Sequence, residues 1–162
     1  MSHASTTHSS RHYGALLAFL LLTQAAGAAG GLVTYPQIAG WYAQLAKPSF
    51  NPPGWIFGPV WTTLYVLMAV AAWRVWRVAG LRSRPMIVFF VQLALNTAWS
   101  FIFFGAHAVG WALAEVAVLL LIIVWTAIAF VRRDRAAGLL MLPYVAWVSF
   151  ATLLNAAIWK LN

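Results

Sequence analysis

Two carboxylates, Glu115 and Asp134, and four histidines make up the whole supply of carboxyl and imidazole side chains in this chain, which contains no cysteine. Their spacing does not build a reactive centre. Asp134 lies in the arginine cluster "VRRDRA", and Glu115 stands alone about one turn into an apolar run. A paired-carboxylate hydrolase or a carboxylate metal site therefore lacks its second member. Glu115 reads as a carboxylate near a membrane interface, hydrogen-bonded to a neighbour. His3, His8 and His12 fall in the polar start and read as a solvated tail, and His107 sits alone in the Gly105 to Gly110 turn. Without thiols there is neither thiolate chemistry nor a structural disulfide. No catalytic residue and no metal ligand is assigned.

The aromatic residues are the informative ones. Ten Trp, ten Phe and five Tyr are present. Trp73, Trp76 and Trp159 stand near helix ends, where amphipathic rings form interfacial belts. Trp61 and Tyr65 are spaced i, i+4 with Phe57 one turn earlier, and Trp147, Ala151 and Leu154 repeat the pattern at i, i+4, i+7. Two such faces can enclose a flat apolar ligand, with Asn96 as a fixed polar group. Asn96 suits a hydrogen bond between helices equally well. In "WYAQLAKPSFNPPGW" the prolines Pro48, Pro52 and Pro53 restrict the backbone, so that Tyr42 and Phe50 are held at low entropic cost. A stiff aromatic loop of this kind suits a lid.

What must position these residues is a membrane bundle. The chain is 64% hydrophobic and 7% charged, with mean hydropathy +0.83. Its charges lie between apolar runs of bilayer-spanning length. The fold class is all-α, an integral membrane bundle of five transmembrane helices, expected near 14–34, 54–78, 85–105, 109–131 and 135–159. A polar tail, 1–12, precedes this single domain, 13–162, and residues 35–53 form the lid loop. Arg11, Leu16 to Leu22 and Ala26-Gly27-Ala28 also have the layout of a secretory signal, but the apolar run continues past the small residues and reads as a span. Pro85 suits a first helical turn, whereas Pro143 should kink the fifth span or free a carbonyl within it.

Net charge +8 reflects basic residues flanking the spans, which points to topology signals and anionic headgroups and away from nucleic acid. Eight of the ten basic residues fall on the side of the N-terminus and of the second and fourth connections, leaving Lys47 and Lys160 opposite. The positive-inside bias then places the N-terminus in the cytoplasm, with the first loop and the C-terminus across the membrane. A bacterial inner membrane is the expected location.

Three motifs, "WYAQLAKPSFNPPGWIFGPVWTTLY", "QLALNTAWSFIFFG" and "PYVAWVSFATLLN", in this order resemble the TspO/MBR family, which comprises tryptophan-rich sensory proteins of bacteria and translocator proteins of mitochondria. The resemblance runs from about Gly30 to the end of the chain. It implies a five-helix bundle, usually a homodimer, binding porphyrins such as protoporphyrin IX or haem, sterols and other flat hydrophobic molecules in a pocket closed by the first loop. The porphyrin is a ligand; no cofactor is required.

Position by position, the resemblance implies that Trp61 and Trp147 are the two tryptophans tied to porphyrin binding and, in bacterial members, to porphyrin breakdown. An enzyme that degrades porphyrin through these indoles is the alternative reading. It also implies ligand contacts at Tyr42, Phe50, Pro52, Phe57, Tyr65, Asn96, Trp99, Trp111, Ala114, Ala151 and Leu154. Two departures stand out. Ser49 and Phe50 follow "KP" where many bacterial members have a Trp pair. Ala156 occupies the Tyr position of the proposed cholesterol motif, which weakens the expectation of sterol binding. For a dimer, Gly27 with Gly31 and Ala94 with Ala98 supply small-x-x-x-small pairs, which also suit packing inside one bundle.

Overall fold

The computed structural model describes the backbone of residues 3–162 and the side chains of residues 12–162. His3 and His8 thus lie outside the described side chains. The elements are α1 (His3–Ile38), α2 (Trp41–Gln44), α3 (Gly54–Ala79), α4 (Arg84–Ser100) with a π-helical extension (Phe101–Gly105), α5 (Val109–Val131), α6 (Arg135–Leu140) and α7 (Leu142–Leu161). Among the described residues five segments are long and apolar enough to cross a membrane: His12–Ile38, Gly54–Ala79, Arg84–Gly105, Val109–Val131 and Arg135–Leu161.

Three elements differ from the periodicity reading. Helix α1 starts upstream of residue 14 and runs through Pro36 to Ile38; so close to the helix end, proline forfeits only its own N–H bond. The third span closes in a wider turn, with the Ala106 N–H donating to the Phe101 carbonyl at 2.8 Å. The fifth span is broken at Met141. Pro143 is the cause, because it cannot donate to the carbonyl of Leu139 and therefore sits in the first turn of a fresh helix.

The helices form a ring in the order α1, α3, α6 and α7, α5, α4, closing on α1. In the core Ala69, Ala71 and Ala72 of α3 are fully buried, small enough to let neighbouring backbones approach, together with Met68, Phe89, Ile123, Phe130 and Met141. A second cluster, Phe103, Phe104, Ala112, Leu154 and Ile158, lies at the lid end with Trp41, Tyr42 and Phe57 against it. A Cβ on Gly27 would overlap the Tyr65 ring, whereas one on Gly31 would meet open space. Gly27 is thus used inside the bundle. Ala94, on the outer side of α4, is exposed.

At the arginine-rich end, Asp134 caps α6. Its carboxylate accepts from the Ala137 N–H at 3.0 Å and pairs with Arg74 at 2.9 Å. The Ala137 N–H, followed by Arg74, holds its pKa below the ordinary carboxylate value. A carboxyl lowered on folding stabilises at pH above its unfolded value, near 4, and loses that contribution as pH falls through the folded value. Melting in detergent at pH 7 and pH 3 should show Asp134→Ala losing about 1 kcal/mol at the higher pH and little at the lower. An equal loss at both values would contradict this origin.

Candidate functional site

On α3 the i, i+4 spacing sets Trp61 against Tyr65, their rings tilted with centroids 5.6 Å apart. Phe57 meets Trp147 of α7 edge to face at 5.8 Å, and Trp61 meets Tyr144 at 6.2 Å. Phe50 from the loop reaches Phe150, one turn beyond Trp147. The two aromatic faces expected from the sequence therefore do face one another. Ala151 is half-buried on the same helix, and Leu154 is buried at the lid end.

A ladder of polar contacts crosses the interior beneath these rings. Tyr65 Oη donates to Asn96 Oδ1 at 2.5 Å, and Thr23 donates to the Tyr65 carbonyl at 3.0 Å. Tyr144 Oη donates to Gln92 Oε1 at 2.9 Å. Trp99 Nε1 donates to Asn155 Oδ1 at 3.2 Å, while Asn155 Nδ2 donates to the Val109 carbonyl at 3.0 Å. Asn96 is thus an interhelical bond that shapes the site. Thr23, Gln92, Tyr144 and Asn155 escaped the sequence reading, although Gln92 and Asn96, i and i+4 within an apolar span, were a usable signal.

Within the aromatic group, Trp147 keeps a free donor. Its Nε1 is buried without a hydrogen-bond partner among the described residues. The indole also lines a groove of about 600 Å³ between α3 and α7, walled by Pro59, Val60, Thr63, Pro143 and Ala146. A buried N–H left unpaired costs free energy that an incoming acceptor can recover.

The loop is fastened over this end. Tyr42 Oη donates to Asn51 Oδ1 at 3.0 Å, packs on Phe103 and Phe104 and carries Lys47 Nζ 4.8 Å above its ring. Burial pushes the Tyr42 phenol pKa up. Asn51 Nδ2 donates to the carbonyl of half-buried Pro52. Asn162 bonds both backbone groups of Ala46, accepting at 2.9 Å and donating at 3.0 Å. Trp41 stacks on His107 at 4.2 Å, whose Nε2 lies 3.1 Å from Gln37 Oε1. His107 adopts φ 55, a left-handed turn conformation uncommon outside glycine. The turn residue is therefore also a lid anchor.

Trp111 and Ala114 are not brought to this group. Trp111 is 77% exposed, and both residues line a separate hollow of about 570 Å³ with Leu95, Ile102 and Glu115. The stripe Ala112, Val116, Leu119 and Ile123 faces the core, and at about 100° per residue positions 111 and 114 turn away from it. Glu115 departs from its expected hydrogen bond, since both carboxyl oxygens are buried without a partner among the described residues.

A family model described as TspO/MBR family matches residues 19–160. The chain is 39% identical over 148 residues to the tryptophan-rich protein TspO of Archaeoglobus fulgidus, covering 91% of this chain and 96% of that one. It is 40% identical over 146 residues to the tryptophan-rich sensory protein of Cereibacter sphaeroides, covering 90% of each. With the translocator protein of Homo sapiens the identity is 41% over 126 residues, or 75% of each chain.

Proposed function

The chain belongs to the TspO/MBR family, and from that premise we propose that it is a membrane receptor or carrier for porphyrins, protoporphyrin IX or haem, and other flat hydrophobic molecules. The ligand lies among Phe57, Trp61, Tyr65 and Trp147, under the Tyr42 to Pro53 lid. The observation that carries this reading is the buried, unpartnered Nε1 of Trp147 amid aromatic rings: a flat molecule with an edge acceptor completes it. Membrane orientation follows the arginines, with the N-terminus cytoplasmic, in a bacterial inner membrane. A homodimer would use the outer face of α4, where Ala94 and Ala98 lie one turn apart.

The competing reading is a porphyrin-degrading enzyme. It draws on the run of oxidisable rings from Trp61 to Tyr65 and Tyr144. One titration separates the two. Purified protein in detergent should show saturable quenching of Trp fluorescence by protoporphyrin IX while the porphyrin bands stay constant, dark and illuminated. Bands that fade over repeated turnovers would establish the enzyme instead. Absence of saturable quenching would refute both readings.

A further inference from the structure

Resting on that receptor reading, we propose that ligand reaches the site sideways, from the hydrocarbon layer through the seam between α3 and α7, while the lid stays closed. The seam is the weak join of the ring. Helix α3 packs on α6 at the arginine end, but the backbones of α3 and α7 scarcely approach each other. Among the described residues no hydrogen bond joins them. The neighbouring seams are bonded: Thr23 and Gln24 of α1 donate to α3 carbonyls, Tyr65 bonds Asn96, and Asn155 ties α7 to both α4 and α5.

Two prolines flank the gap. Pro59 lies inside α3 and Pro143 at the α6–α7 break, and both line the groove of about 600 Å³. The groove lies within the membrane-crossing segments, so hydrocarbon is its solvent. Its wall is almost wholly apolar: the Thr63 hydroxyl is taken up by the Pro59 carbonyl at 2.9 Å, and the Trp147 Nε1 is buried behind the indole. Trp147 belongs both to this wall and to the aromatic site. The groove therefore adjoins the aromatic site through Trp147, and its occupant is the site's own ligand in transit, a flat apolar molecule concentrated by the bilayer.

Opening the lid breaks much more. Both Ala46–Asn162 bonds, the Trp41–His107 stack and the Phe50–Phe150 contact must go. Widening the seam costs no hydrogen bond, only the edge contacts of Phe57 with Trp147 and of Trp61 with Tyr144.

The test is kinetic. A door residue slows entry and exit by one factor and leaves the dissociation constant unchanged, whereas a site residue shifts that constant. Protein in phosphatidylcholine vesicles is mixed with protoporphyrin IX and Trp quenching is followed by stopped flow. One variant locks the lid with a disulfide between Ala46→Cys and Asn162→Cys, the only thiols present since the chain has no cysteine. Two others, Ala146→Phe and Thr63→Leu, fill the groove at exposed positions where folding is not at stake. The locked lid should associate at the wild-type rate. The filled groove should slow association and dissociation alike, by about tenfold. The inference is overturned if the locked lid stops binding, or if filling the groove leaves both rates unchanged, as it would were the groove merely a seat for lipid chains. Wild-type protein that shows no saturable quenching would instead remove the receptor reading itself, before any variant is compared.

Discussion

Gly27→Ala is expected to destabilise the bundle by about 1–3 kcal/mol, while Gly31→Ala, one turn away on the same helix, leaves it unchanged or gains up to about 1 kcal/mol in helix propensity. The signs differ because the two glycines face different things. A methyl at 27 falls on the Tyr65 ring and a methyl at 31 meets open space. A flexible ring could step aside, but Tyr65 is buried and held at its far end by the bond from its hydroxyl to Asn96. The strain then passes to α4 through Asn96. Melting of the two variants in detergent decides the matter, and equal shifts would show that α1 does not close on Tyr65 in this way. Combining Gly27→Ala with Tyr65→Phe should cost less than the two single losses together, since a ring freed from Asn96 can yield to the methyl.

How far the sequence reaches is clear from individual residues. Apolar length locates the five spans, because backbone in lipid must be internally bonded and nothing shorter crosses. Periodicity also places Phe57, Trp61 and Tyr65 on one face and Trp147 opposite. It fails where the answer depends on which side of a helix meets a neighbour. Trp111 lies in the first turn of α5, and only the packing of α5 through Ala112 and Val116 decides that its indole points outward. Glu115 shares that difficulty: its position in an apolar run is legible, its lack of a partner is not. The clasp between Asn162 and Ala46 joins residues 116 positions apart, and no local pattern marks it. The break at Met141 was half legible, since Pro143 announces a disturbance and its extent depends on how α6 packs against α3.

Trp147→Phe is expected to weaken protoporphyrin IX binding by about tenfold or more, the worth of one hydrogen bond made in a dry site, without lowering the melting temperature of the free protein. Phenylalanine keeps an aromatic ring against Phe57 and Phe150, at 5.8 and 5.6 Å in the native protein. What it removes is a buried N–H with no partner. In the free protein that donor is a cost, so its loss offsets the smaller ring. In the complex the ligand's acceptor satisfies it, so its loss weakens binding. An indole serving only to pack the bundle would behave in the opposite way, with a lower melting temperature and an unaltered dissociation constant. Trp111→Phe is the control: its ring is on the outside of α5, in a hollow apart from the α3–α7 aromatics, and the titration should not change. If Trp111→Phe weakens binding and Trp147→Phe does not, the ligand lies in the α4–α5 hollow beside Glu115, and the aromatic α3–α7 face is packing.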